Sequence, residues 1–148
     1  KVFYVQKGKA YADFSTGFFQ MKPSFIERLE DSLQTKKHLH EKFKECLLPD
    51  PASREARVER LRRLGQMEWQ LEYLALFCEL VHERFPSKSE LPERDMLVFY
   101  ATAYNTGFHK PEDAIDQMAR QALFPRFTRE KFRYADVALW FYDAVIEF

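Results

Sequence analysis

The sequence predicts an all-α fold, and three observations support this. Apolar residues recur at helical spacing through most of the 148 residues. Two of these segments begin with a proline followed by acidic residues, at Pro92 and at Pro111, which is typical of a first helical turn. The chain also contains only four glycines, too few for the tight turns of a sandwich or barrel. At this length we expect a single domain over residues 1–148.

The N-terminal third of the chain predicts one long helix after an irregular start. Residues 1–11 fit either a short strand or the end of a helix that begins earlier, and Gly8 interrupts the pattern. Ser24 and Glu27 have the spacing of a capping box, so a helix is predicted from Pro23 onward. Its apolar stripe consists of Ile26, Leu29, Leu33, Leu39, Phe43 and Cys46.

A second long helix is predicted from about Ser53 to Phe85, with Gly65 as a hinge or break. Its first half, residues 53–64, is basic. We interpret these arginines as a solvated face with ion pairs, and contact with an anionic polymer is the alternative. The arginines concerned are Arg54, Arg57, Arg60, Arg62 and Arg63.

The segment Met96–Tyr104 is apolar on every side and therefore predicts a buried central helix. A further helix is predicted from Pro111, with Ile115, Met118 and Ala122 on one face. The last helix is predicted to be capped by Thr128 and to carry an apolar stripe. That stripe consists of Tyr134, Val137, Ala138, Phe141, Tyr142 and Val145.

Composition and missing motifs exclude several classes of function. Lys plus Arg equals Asp plus Glu at 23 each, so no net charge attracts nucleic acid or an anionic membrane. No apolar run approaches the roughly 20 residues of a membrane span. The glycine-rich signatures of phosphate and dinucleotide sites are absent, and no cofactor is expected.

The two cysteines, Cys46 and Cys78, both lie at apolar helical positions. They predict buried free thiols, with a disulfide between two helices as the alternative. Because there is no Cys-x-x-Cys and the histidines are scattered, no metal site is predicted.

Two stretches stand out from this scaffold. In the first, residues 12–24, Gly17 closes a loop that exposes aromatic residues and the amide of Gln20. In the second, residues 100–108, a helix ends at Tyr104 and Asn105 before Gly107. Aromatic faces with amide groups are what sugars bind, so the two stretches are interpreted as opposite walls of one cleft. An ordinary turn and an ordinary helix C-terminus are the alternative interpretations.

The two stretches together resemble one family. Gly17-Phe-Phe-Gln-Met-Lys-Pro23 resembles the Gly-Leu-Met-Gln-Ile-x-Pro segment of soluble lytic transglycosylases and goose-type lysozymes. Ala103-Tyr-Asn-Thr-Gly107 resembles their Ala-Tyr-Asn-x-Gly, and the order and separation of the two motifs also fit. The resemblance implies a lysozyme-like helical fold that cleaves the β-1,4 bond between N-acetylmuramic acid and N-acetylglucosamine. Peptidoglycan is then the partner, and a periplasmic or secreted location follows from it.

The resemblance also implies residue roles. Phe18, Phe19 and Gln20 would line the sugar groove, Tyr104 would orient a catalytic glutamate, and Asn105 would bond the sugar near the scissile bond. A single glutamate would protonate the leaving oxygen. An apolar wall would raise the pKa of that acid, since burial disfavours the ionised form.

The catalytic glutamate of the family precedes the first motif, but residues 1–16 contain none. We therefore expect it upstream of Lys1, with an N-terminal helix of the domain. Asp13 is the acid nearest before the motif, either bonding loop amides or positioning a water in a hydrolytic variant. Two alternatives are a non-catalytic glycan-binding module on the same fold and a helical domain that binds a partner protein.

Overall fold

The computed structural model describes residues 1–125 and 129–146, apart from the side chain of Ile146. The described residues are helical, with two isolated β-bridges and no strand, which confirms the all-α prediction. The predicted cap at Thr128 lies outside the described residues. The helices are α1 (Val2–Lys7), α2 (Pro23–Thr35), α3 (His40–Phe43), α4 (Arg54–Leu64), α5 (Met67–Arg84), α6 (Pro86–Ser89), α7 (Glu93–Thr106), α8 (Glu112–Ala119) and α9 (Tyr134–Ile146).

The backbone forms two compact units, Lys1–Leu80 and Val81–Phe148. Helix α5 begins in the first unit and ends in the second. Each unit has its own buried apolar residues. The interpretation of the whole chain as one domain stays a prediction.

The first unit has a core built on α2. This helix buries Ile26, Leu29 and Leu33 completely, at the spacing that the sequence predicted. Phe25 packs its ring on Phe77, with ring centroids 5.7 Å apart. The other buried apolar residues of this unit are Tyr4, Met21, Leu39, Phe43, Cys46, Ala56, Leu64, Tyr73, Leu76 and Leu80.

In the N-terminal third, the helical alternative for residues 1–11 is confirmed, and the prediction of one long helix needs correction. Residues 2–7 form a helix, α1, which ends at Gly8 with φ +82°. The long helix predicted through Cys46 ends at Thr35, and two short 3₁₀ turns with α3 between them follow. The break is stabilised because the Leu33 carbonyl accepts hydrogen bonds from the Lys36 amide and from the His40 ring. That carbonyl would otherwise be an orphan of the helix end.

Helix α4 begins at a capping serine and ends before the predicted break. The Ser53 hydroxyl accepts a hydrogen bond from the Ala56 amide at 3.0 Å. Gly65 then separates α4 from α5, as predicted.

The basic face of α4 is not wholly solvated, contrary to prediction. Arg60 is 1% exposed and Arg63 is 8% exposed. Arg60 donates to both carboxylate oxygens of Glu30, which is itself fully buried. Arg63 donates to Glu59 and to the Glu45 carbonyl. Both arginines lie on the face that carries the buried Ala56 and Leu64, so helical spacing explains their burial.

The second unit consists of the end of α5 and helices α6 to α9. Helix α7 packs against α8 and α9, and Phe85 meets Phe99 edge-on with centroids 5.2 Å apart. Lys88 is paired with Asp116 at 2.7 Å. The buried apolar residues here are Val81, Phe85, Phe99, Ala103, Phe108, Ile115, Ala135 and Leu139.

The composition of helix α7 predicted burial on every side, but the helix is only partly buried. Phe99, Thr102 and Ala103 are buried, whereas the residues from Met96 to Val98 are only half-buried. The two helices that pack on it leave part of its surface in contact with solvent. The predicted face of α8 also ends early, because Ala122 is exposed beyond the helix end at Ala119.

The stripe predicted for the last helix is largely exposed. Val137, Phe141 and Val145 on α9 are each at least 46% exposed. Cys46 is a buried free thiol, as predicted, but Cys78 is free and exposed. No helix of the described residues is long and apolar enough to cross a bilayer.

The buried ion pair gives a stability prediction. Replacing Glu30 by Leu leaves the Arg60 guanidinium buried without its partner, and we expect a loss of about 3–5 kcal/mol in unfolding free energy. The double variant Glu30→Leu/Arg60→Met removes both charges and should lose clearly less. Urea denaturation measures each value.

The matched control is Glu41→Leu, which breaks the exposed pair between Glu41 and Lys44. An exposed pair contributes roughly 0–1 kcal/mol. Equal losses for Glu30→Leu and Glu41→Leu would contradict the importance of the buried pair.

Candidate functional site

The first candidate stretch, residues 12–24, forms a closed loop on the first unit. Thr16 and Met21 make an antiparallel bridge with backbone hydrogen bonds of 2.9 and 3.0 Å. Between them the chain turns at Gly17, with φ +78°, a value that glycine adopts without steric cost. The Gln20 amide donates to the Gly17 carbonyl at 3.3 Å and completes the turn. The loop therefore has a defined backbone conformation.

The Gln20 side chain is held by the same carbonyl. Its backbone has φ +53°, which is uncommon for a residue other than glycine. The side-chain Nε2 donates to the Gly17 carbonyl at 2.8 Å. Since that carbonyl can only accept, the amide nitrogen must face the loop. Gln20 is exposed, and its Oε1 is the side-chain atom left to accept a hydrogen bond from a ligand.

The two phenylalanines of the loop differ in exposure. Phe18 is 75% exposed, the highest exposure of any large apolar side chain in the described residues. Phe19 is half-buried. The loop thus presents one aromatic side chain, that of Phe18, to solvent. That Phe18, Phe19 and Gln20 line a sugar groove stays a prediction.

A buried glutamine fixes the loop from below. Gln70 of α5 is fully buried, and its Oε1 accepts a hydrogen bond from the Phe19 amide at 2.9 Å. Its Nε2 donates to the Leu64 carbonyl at 3.1 Å. A Cβ placed on Gly17 would lie 2.0 Å from Gln70 Nε2, so only glycine fits there. Gln70 was not among the predicted site residues, because it lies 51 residues from Phe19 in the sequence.

Asp13 caps helix α2. Its two carboxylate oxygens accept hydrogen bonds from the Ser24 amide at 3.0 Å and from the Ser24 hydroxyl at 2.7 Å. The predicted capping box between Ser24 and Glu27 is wrong, because the N-cap residue is Lys22, two residues before Ser24, and Asp13 supplies the acceptor. A carboxylate at this helix end also complements the helix dipole. The water-positioning role of Asp13 stays a prediction.

Glu27 is the next acid after the motif, and it has structural partners. Its Oε1 accepts a hydrogen bond from the Tyr4 hydroxyl at 2.8 Å, and its Oε2 pairs with Lys9 at 2.9 Å. Arg60 Nη1 lies 3.7 Å from Oε1. These contacts join α1, α2 and α4.

The second candidate stretch ends α7 in the other unit. Gly107 stops the helix with φ +110°, and its amide donates to the Ala103 carbonyl at 2.9 Å, as its position predicted. Asn105 is exposed and Tyr104 is half-buried. Burial raises the pKa of Tyr104 above its ordinary value, so its hydroxyl stays protonated at neutral pH.

The loop residues Asp13, Phe18, Phe19 and Gln20 thus belong to the first unit, and Tyr104 and Asn105 belong to the second. That the two stretches face each other across a cleft stays a prediction. Among the described residues, no group of three or more His, Cys, Asp or Glu side chains is placed to hold a metal ion.

Comparison of the chain with protein-family models, with curated proteins and with solved structures finds no match. The function is therefore inferred from the two motifs and from the geometry of each.

The steric fit between Gly17 and Gln70 can be tested with a double-mutant cycle. Gly17→Ala should destabilise the protein through its positive φ and through overlap of the new Cβ with Gln70, each contributing about 1–3 kcal/mol. In a Gln70→Ala background the overlap disappears, so the cost of Gly17→Ala should fall. Urea denaturation of the four proteins gives the coupling.

Gly8→Ala is the control for this cycle. Gly8 also has a positive φ, of +82°, but a Cβ there would have no atom within 4 Å. Its cost should be the same with and without Gln70. An unchanged cost of Gly17→Ala in the Gln70→Ala background would show that the two residues do not compete for space.

Proposed function

We propose that this chain binds peptidoglycan and cleaves its β-1,4 glycosidic bond as a lytic transglycosylase or lysozyme on a lysozyme-like fold. The observation that carries the proposal is the loop at residues 13–24. It combines the family-like sequence with a bridged backbone, an exposed aromatic side chain at Phe18 and an exposed amide at Gln20 whose Oε1 is left to accept a hydrogen bond. These are the groups that bind a sugar ring and its hydroxyl or acetamido hydrogens.

The exposure of Phe18 is costly, because burial of a Phe side chain would stabilise the fold by about 1.5–3 kcal/mol relative to leaving it in water. The loop around it is stabilised by the Thr16–Met21 bridge and by Gln70, so the backbone that carries the exposed ring is held in place by hydrogen bonds. An ordered backbone reduces the conformational entropy lost when a sugar stacks on the ring. This supports a binding role for Phe18.

The second motif supports the same function. Asn105 is exposed at the end of α7, where its amide is available to a sugar. Tyr104 keeps its proton at neutral pH, so its hydroxyl is able to donate a hydrogen bond to a catalytic carboxylate. We propose these two roles in line with the resemblance.

The general acid is proposed to be a glutamate that precedes Lys1, as in the family. It would donate its proton to the leaving glycosidic oxygen. In a transglycosylase the sugar's own C6 hydroxyl then attacks C1 and gives a 1,6-anhydro product. A lysozyme adds water at C1 instead. An envelope location, periplasmic or secreted, follows from the substrate.

A second candidate function is glycan binding without cleavage. It is favoured because the two acids nearest the first motif already have structural partners. Asp13 caps α2, and Glu27 bonds Tyr4 and Lys9. Neither carboxylate is free to act as a general acid without giving up these partners. A glycan-binding module would keep the roles proposed for Phe18, Gln20 and Asn105.

The proposal predicts that the complete protein releases soluble muropeptides from purified peptidoglycan. Mass spectrometry distinguishes the products, because an anhydro muropeptide is lighter than the hydrolytic one by one water. Phe18→Ala and Asn105→Ala should each weaken binding of peptidoglycan fragments about tenfold, as expected when roughly 1.4 kcal/mol of contact is lost.

Phe3→Ala is the matched control, since Phe3 is 64% exposed on α1 and lies outside both motifs. It should leave binding unchanged. Binding without any product would favour the glycan-binding module. Absence of both binding and product would overturn the proposal and favour a domain that binds a partner protein.

A further inference from the structure

The loop at residues 13–24 is controlled by one residue of α5 that belongs to neither motif. Gln70 is fully buried and lies under the turn. Its side chain bonds the Phe19 amide and the Leu64 carbonyl. It also fills the space that a Cβ on Gly17 would occupy. A buried amide is costly unless its hydrogen bonds are formed, and here both ends are satisfied.

We propose that Gln70 is the positioning residue of the glycan wall, the loop at residues 13–24, because it sets the turn that exposes Phe18. This inference rests on the proposed function for the role of the wall, but the mechanical part stands on the loop geometry. Gln70 is buried and does not contact the glycan itself. It acts through the backbone of Phe19.

The mechanism is a selection between turn conformations. The Phe19 amide points toward Gln70 because its N–H donates a hydrogen bond to Gln70 Oε1, so the peptide plane between Phe18 and Phe19 has a fixed orientation. That orientation fixes the backbone to which the exposed Phe18 ring is attached. Gly17 lets the chain pass over the Gln70 carboxamide, since any Cβ there would overlap Nε2. Glycine and glutamine thus form one fitted pair.

Residue 70 must provide both a hydrogen-bond donor and a hydrogen-bond acceptor. The Phe19 amide needs an acceptor, and the Leu64 carbonyl needs a donor. Met has a similar length but provides neither a strong donor nor a strong acceptor. An ionised Glu provides only acceptors, so it faces the Leu64 carbonyl with no proton to donate. A protonated Glu provides both, as Gln does.

This difference gives a specific test with two variants, Gln70→Met and Gln70→Glu. The first readout is the Phe19 backbone amide, followed by its NMR shift and its protection from hydrogen exchange. The second is the affinity for chitotetraose, a soluble β-1,4-linked N-acetylglucosamine oligomer. Stability is measured in parallel, so that each variant is compared under conditions where it is folded.

Gln70→Met should deprotect the Phe19 amide and weaken chitotetraose binding about five- to tenfold, at any pH where the protein is folded. Gln70→Glu should behave differently, because burial raises the pKa of the introduced carboxyl. At about pH 5 it should approach the unmodified chain in both readouts, and at about pH 8 it should approach Gln70→Met. Because ionisation of a buried carboxyl also lowers stability, the two pH values are compared only where urea denaturation shows Gln70→Glu to be fully folded at both.

Gln66→Met is the control, since Gln66 is exposed and bonds only Arg62 through its side chain in the described structure. It should change neither readout. An unchanged Phe19 amide and unchanged affinity in Gln70→Met would overturn the inference. Failure of the proposed function has a different signature: the unmodified chain would not bind chitotetraose, while the Phe19 amide would still respond to Gln70→Met.

Discussion

The ion pair between Glu30 and Arg60 fixes the two helices on which the first unit is assembled. Both side chains are about 1% exposed, and removing two such charges from water costs several kcal/mol per ion unless they are paired well. The pairing here is extensive, because Arg60 donates to both Glu30 oxygens and to the Pro51 carbonyl. Glu30 lies on α2, and the candidate loop leads directly into that helix. The position of the loop therefore depends on this pair.

A second constraint acts at the loop itself. Asp13 joins the start of the loop to the first turn of α2, and Gln70 joins its tip to α5. The loop that carries the exposed Phe18 is thus joined by hydrogen bonds to two helices of the same unit, α2 and α5. This is the arrangement expected of a binding site placed on a rigid scaffold.

Much of this structure was predictable from the sequence, because its signals are local. Gly65 and Gly107 separate or end helices as their positions indicated, and the stripe of α2 from Ile26 to Leu33 is buried. The break after Thr35 was not predictable from periodicity, since the apolar stripe continues past it. Its cause is a set of hydrogen bonds to the Leu33 carbonyl.

The site was predictable only in part, for a physical reason. The motif residues are adjacent in sequence, so a resemblance finds them, but their supports are distant. Gln70 and Arg60 are polar residues in helical segments, and propensity alone assigns such residues to solvent. Arg60 had one usable signal, its spacing from Ala56 and Leu64. Gln70 had a similar signal in its spacing from Tyr73 and Phe77 on α5, but spacing does not reveal its contacts with Gly17 and Phe19.

We propose that the loop at residues 13–24 binds glycan. An NMR titration of the protein with chitotetraose, with the backbone amides assigned, tests this binding. If the loop binds glycan, the signals of Gly17, Phe18, Phe19 and Gln20 will shift together in a saturable manner, along with Asn105. Saturable binding whose shifts lie elsewhere on the chain, with these amides unmoved, would contradict it.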